Sequence, residues 1–202
     1  KVYNLGVAGE TSNEIALRQG GIKMYADNTF EVGYDDSVEI SIIDEYGDPV
    51  YMADFSAYGY VEPHESDVVY INDDMFKITG TEETGLYICR YSEEEDVYDA
   101  FTTVYEGTQI VTKAAHERKN DILILEIGSN GGWDNYRQLI SQYDAMIQNA
   151  GCDYFIIVGD TDDPGTSIAD TAQGFRNDDG TYVGVGDTAW EATLREAYGE
   201  HF

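Results

Sequence analysis

Asp121-Ile-Leu-Ile-Leu-Glu-Ile127 is the stretch on which the fold turns. It is a near-continuous apolar run, closed by the loop Gly128-Ser-Asn130-Gly-Gly-Trp133. A strand with one face in water alternates polar and apolar residues. A run this apolar is what a strand covered on both faces of a parallel sheet requires. Asp134 to Ala150 then reads as an amphipathic helix. Tyr136, Leu139, Ile140, Tyr143, Ile147 and Ala150 fall on one stripe, and Gly151 stands at the C-cap. Asp153-Tyr-Phe-Ile-Ile-Val158 repeats the apolar run.

Outward from there, the same texture recurs at both ends. Val2 to Leu5 reads as a short strand leading through Gly6-Val-Ala-Gly9 into a helix. Thr11 and Glu14 have capping-box spacing, and the helix stops at Gly20-Gly21. After Val158 comes a long polar loop with a hairpin signal at Asp179-Gly180. Asp187 then caps a helix carrying Trp190, Leu194, Ala197 and Tyr198, ended by Gly199, and His201-Phe202 would open another strand. Neither end carries the polar, flexible residues usual at termini, so both read as cut from something longer.

Between about Ile22 and Ala115 the period is two. In Ser37-Val-Glu-Ile-Ser-Ile-Ile-Asp44, Val38, Ile40 and Ile42 alternate with polar neighbours. Residues 67–71, 75–79, 86–91, 97–105 and 109–113 continue the pattern. Turn residues at 46–49, 72–74, 80–85 and 106–107 separate them. Short strands punctuated this way predict an all-β sandwich or barrel. The economical organisation is an α/β core, residues 1–22 and 116–202, interrupted by a β insertion over 23–115.

Composition narrows the function classes. The 202 residues hold 40 Asp plus Glu against 11 Lys plus Arg, a formal charge of −29. Such a surface repels phosphate backbones and anionic lipid, which argues against nucleic acid. No apolar run approaches the ~20 residues of a membrane span. With 42% hydrophobic and 13% aromatic residues, the acidity is not the signature of disorder. Cys89 and Cys152 read as free thiols in different parts of the fold rather than a disulfide, and make no metal-ligand pattern. The 17 tyrosines suit strands, with a sugar-stacking surface on the β insertion as the competing reading.

Two loops carry candidate chemistry. Gly6-Val-Ala-Gly9-Glu10-Thr11 leads from a strand into a helix and presents backbone N–H groups at a helix start. Gly128-Ser-Asn130-Gly-Gly-Trp133 follows a buried strand and can aim an amide N–H at developing negative charge. Together they resemble the SGNH (GDSL-like) hydrolase family of esterases and lipases. Asn4-Leu-Gly-Val-Ala-Gly-Glu-Thr11 resembles its second block, with Gly9 at the oxyanion glycine. Gly128-Ser-Asn130-Gly131 resembles the third, with Asn130 at the oxyanion asparagine and Gly131 where the family has Asp. Arg18-Gln-Gly-Gly21, the β insertion and Glu117-Arg118-Lys-Asn-Asp-Ile122 resemble a Gram-positive bacterial subgroup with an interrupted core.

The resemblance implies a flavodoxin-like, three-layer core and ester hydrolysis through a serine acyl-enzyme. Gly9 and Asn130 would form the oxyanion hole, with Glu10, Gly131 and Trp133 beside them as substrate-binding candidates. It implies no cofactor and no metal, a small-molecule or carbohydrate ester as substrate, and an extracellular or cell-surface location. The family's G-D-S and D-x-x-H blocks do not occur in the chain. The nucleophile and base would then lie outside it, and the chain alone would be inactive. The alternative is a non-catalytic glycan- or cell-surface-binding protein on a degenerate core. Gly159-Asp160-Thr161 imitates a nucleophile block with Thr for Ser. The loop from Asp160 to Asp170 imitates a calcium loop, but Pro164 and Thr171 replace ligands. The acidic pairs at Asp35, Asp73, Asp162 and Asp178 read as solvated turns, with surface calcium as the alternative.

Overall fold

A computed structural model describes residues 5–6, 10–33, 36–51, 68–91, 101–128, 130–159 and 189–202. Strands dominate them. The elements are α1 (Ser12–Arg18), β1 (Met24–Ala26), β2 (Phe30–Val32), β3 (Ser37–Ile40), β4 (Ile42–Asp44), β5 (Val68–Ile71), β6 (Asp74–Thr81) and β7 (Gly85–Arg90). Then follow β8 (Thr102–Val104), β9 (Gln109–Thr112), α2 (Lys113–Glu117), β10 (Leu123–Leu125), α3 (Tyr136–Ala150), β11 (Phe155–Ile157) and α4 (Ala189–Tyr198).

Seven strands form one sheet in the order β3-β7-β6-β5-β9-β1-β4, and every pairing is antiparallel. The edge strands β3 and β4 are separated in sequence by Ser41 alone. One residue spans only ~3.5 Å. The two edges of the sheet therefore meet at that corner, and the sheet curls nearly closed. Hairpin chemistry sets the register. Asn72 and Asp73 have φ of 51° and 69°, the two positive values of a tight primed turn, and Ile71 pairs with Asp74 across it. The antiparallel pair β2–β8 packs on the same core through Phe30, Val32 and Val104. Alternate residues point inward: Phe76 and Ile78 on β6, Leu86 and Ile88 on β7, Val69 and Ile71 on β5.

The second core is smaller. β10 and β11 pair in parallel for three residues each. Leu125 and Ile157 pack on Leu139, Tyr143 and Met146 of α3, on Ala16 of α1 and on Leu194 and Tyr198 of α4. Asn135 caps α3 through the Gln138 N–H, and Gly151 closes it in the left-handed conformation at φ 62°. Tyr198 donates its hydroxyl to the Ile140 carbonyl at 3.2 Å and the Asp144 carboxylate at 2.9 Å. Burial and that carboxylate push its pKa up.

The chain is thus mostly β, and the expected α/β flavodoxin-like core is overturned. Among the described residues, parallel pairing is confined to β10 and β11. The apolar runs misled because only one face of each strand is covered. Ile122, Ile124, Tyr154 and Ile156 are 67%, 62%, 70% and 49% exposed. Residues 121–127 and 153–158 therefore do not lie inside a sheet covered on both sides. Among smaller differences, residues 37–44 break into two strands at Ser41, and Lys113, expected to end the strand from Gln109, opens the helix Lys113–Glu117. Gly199–His201 is a 3-10 turn, not the approach to a strand. The proposed strand Val2 to Leu5 falls outside the described residues except for Leu5, which is not in a strand. The Asp179-Gly180 hairpin and the Asp187 cap also fall outside them.

Where the chain enters and leaves the sheet, the two crossings touch. β1 pairs with β9, and the Thr112 hydroxyl donates to the Arg18 carbonyl. Cys89 and Cys152 are both free and half-buried. Burial pushes the Cys89 thiol pKa up.

Candidate functional site

Residues 10–12 lead into α1. Thr11 is extended, with φ −76° and ψ 164°, and its Oγ1 accepts the Glu14 N–H at 3.4 Å. The Glu14 carboxylate in turn accepts the Thr11 N–H at 2.8 Å and hydroxyl at 2.7 Å. This reciprocal cap satisfies donors that would otherwise be orphaned at the start of α1.

The second loop leaves β10 and reverses through glycines. Gly131 and Gly132 have φ of 82° and 86°, a region other residues avoid. The Gly128 carbonyl accepts the Gly131 N–H at 3.1 Å and the Trp133 indole N–H at 2.9 Å. Trp133 stacks on Tyr136 at 5.4 Å, so its ring is held against the start of α3.

These two loops meet. The Ser12 N–H donates to the Gly131 carbonyl at 2.9 Å. The Asn130 side-chain amide donates to the Glu10 carbonyl at 3.1 Å. Gln142 of α3 bridges the pair, donating to the Gly132 carbonyl at 2.9 Å and to the Asn13 side chain. A Cβ at Gly132 would stand 2.8 Å from the Ser12 nitrogen and 2.9 Å from the Thr11 Cβ. Glycine is required there by proximity as well as by φ.

Beneath the contact lies a buried ion pair. Arg18 Nη2 bonds the Glu10 carboxylate, and the two side chains are 4% and 3% exposed. Burial pushes the Glu10 pKa up to about 7, against the opposing pull of Arg18, and Glu14 adds to the rise. Burial likewise lowers Arg18, with Glu10 holding it up. Among the described residues, Arg18 Nε and Nη1, Ser12 Oγ and Gln142 Oε1 are buried without hydrogen-bond partners.

Of the residues singled out from sequence, Glu10, Asn130, Gly131 and Trp133 thus belong to one small region. Asn130 is exposed, so its amide can reach solvent or a ligand from the Glu10 contact. Glu10 is not exposed toward a substrate but buried against Arg18. Gly9, Ser129, Thr161 and the loop Asp160 to Asp170 lie outside the described residues. So do Asp35, Asp162 and Asp178. Asp73 sits in the β5–β6 turn, and among the described residues no group of three His, Cys, Asp or Glu could hold a metal ion. His116 stacks on Tyr70 at 4.0 Å, and His201 stacks on Phe155 at 4.3 Å.

The sequence reading did not single out Gln142, although the signal was present. Gln142 lies one turn from Leu139 and Met146, a polar residue on the apolar stripe of α3. In the sequence Arg18 stands out only as part of Arg18-Gln-Gly-Gly21. Its spacing of four from Glu14 suggests a surface pair, whereas the structure turns it inward to Glu10. Asn130 gives one amide N–H to the Glu10 carbonyl, and its second amide N–H is a donor suited to an oxygen bearing negative charge. No family model, no curated protein and no solved structure matches the chain.

Proposed function

We propose that the chain supplies the oxyanion site of an ester hydrolase of the SGNH type, secreted or at the cell surface, acting on a small acyl or carbohydrate ester. The supporting observation is the contact between the two loops. The Asn130 amide lies against the Glu10 carbonyl, immediately after Gly9 in sequence. The reading rests on this pair of loops and on the sequence blocks that carry them, and does not need a parallel-sheet core.

In this reading the Gly9 N–H and the Asn130 side chain stabilise the tetrahedral oxyanion of a serine acyl-transfer reaction. One such donor contributes ~3 kcal/mol of transition-state stabilisation. Gly131 and Trp133 hold the Asn130 turn in shape. Glu10 acts through its carbonyl, not as an acid or base. The serine and its base come from outside these residues, because the chain has neither G-D-S nor D-x-x-H.

The test is hydrolysis of short-chain nitrophenyl esters. The 202-residue chain alone should give no turnover. A longer polypeptide that includes both missing blocks should turn over the ester. Turnover by the chain alone that disappears in Thr161→Ala would overturn the assignment. A complete gene product that encodes neither block would instead point to a binding protein.

A further inference from the structure

We infer that Arg18 is a positioning residue for the oxyanion site: its ion pair with Glu10 fixes the residue-10 carbonyl that receives the Asn130 side chain. The inference rests on the proposed function for its catalytic meaning, but its geometry stands by itself.

Arg18 is held at both ends. Its carbonyl accepts the hydroxyl of Thr112, the last residue of β9. Its guanidinium bonds the Glu10 carboxylate, and the Glu10 carbonyl accepts the Asn130 amide at 3.1 Å. Continuous contacts therefore run from the seven-stranded sheet through Arg18 to the exposed donor. The charged groups acting on the Glu10 carboxylate are Arg18 and Glu14, and Glu14 is itself committed to the Thr11 cap.

Stability does not account for this pair. Burying two charges costs several kcal/mol per ion before their attraction is counted, and apolar replacements are often neutral or better. Here the cost is increased, since Arg18 Nε and Nη1 are also buried without partners among the described residues. What the pair does provide is geometry. Residue 10 lies in no helix or strand. The carboxylate on Arg18 anchors it.

The experiment follows the Asn130 side-chain NH2 protons by NMR in the 202-residue chain, wild type, Arg18→Met and Arg18→Lys. In Arg18→Met these resonances should move to the position of a solvated asparagine, while the Ile78 and Ile88 amides of the sheet stay unchanged. Arg18→Lys should restore most of the shift. If Arg18→Met does not fold, Glu10→Gln replaces it, and the same movement is expected. Asn130 resonances that stay in place in a folded variant would overturn the inference. In the longer polypeptide, Arg18→Met should lower kcat by at least about tenfold with KM unchanged, as a donor displaced only relative to the transition state does. Absence of esterase activity in the wild type would sink the proposed function while the NMR result still decides the role of Arg18.

Discussion

The antiparallel sheet and the helix-backed pair β10–β11 are built on different terms. Among the described residues, the sheet core consists of alternate apolar side chains, from Met24 to Ile110. The smaller core packs Leu125, Ile157, Leu139, Tyr143 and Met146, but Glu10, Ser12, Arg18 and Gln142 are buried alongside. Thr112, the remaining buried polar residue among those described, stands at the junction. Apolar burial suffices to hold a sheet. Buried polar groups cost stability unless each is paired. Among the described residues, four of the buried polar side chains, Glu10, Ser12, Arg18 and Gln142, gather where α1 and α3 meet the 128–132 loop.

The comparison breaks most visibly on truncation. Phe76 is fully buried in the sheet core, and Phe76→Ala should destabilise the fold by ~3–5 kcal/mol. Urea unfolding measures it. A loss under about 1 kcal/mol would mean the sheet is not the principal core.

The second prediction concerns pH and belongs to the other region. Burial raises the Glu10 pKa from its ordinary 4.5 to about 7 in the folded chain. The folded state then holds this proton more tightly than the unfolded one. Its contribution to stability is full below about 4.5 and is lost as pH rises through about 7. Unfolding free energies of wild type and Glu10→Gln across that interval should diverge, the variant lacking this decline. Parallel curves would contradict the shift and its cause.

A third variant separates the loops without touching the sheet. Gly132→Ala places a methyl group against Ser12 and strains a positive φ, a cost of ~1–3 kcal/mol. Hydrogen exchange should show the Ser12 amide losing protection while Ile78 and Ile88 keep theirs. Equal losses in both regions would make the two cores one cooperative unit. The smallest effect is at the cap. Thr11→Ala should cost ~1 kcal/mol and fray α1, read from the exchange of its first-turn amides.

What the sequence disclosed follows the same division. The capping box at Thr11 and Glu14, the Gly151 C-cap and the strands at 68–71, 74–81, 85–90 and 109–112 rest on local rules, and they stand in the structure, while 97–100 of the expected 97–105 strand lies outside the described residues. The corner at Ser41 was not legible, because alternation runs through it without a Gly or Pro. The misreading of Asp121 to Ile127 has a clear physical source. An apolar run reports that residues are hydrophobic, not that both faces are covered, and Ile122 and Ile124 remain exposed. At the site, the sequence pointed to Asn130 and to Glu10. It did not reveal that Glu10 turns inward, because a long-range ion pair with Arg18 leaves no periodic trace.

The most direct test of the account is the kinetic effect of Asn130→Ala in the longer polypeptide, on a short-chain nitrophenyl ester. If Asn130 donates to the oxyanion, kcat falls by about 10²–10³-fold while KM and the unfolding midpoint stay near wild type. A kcat unchanged within about twofold, in a folded variant, would show that the meeting of the two loops has no part in ester hydrolysis.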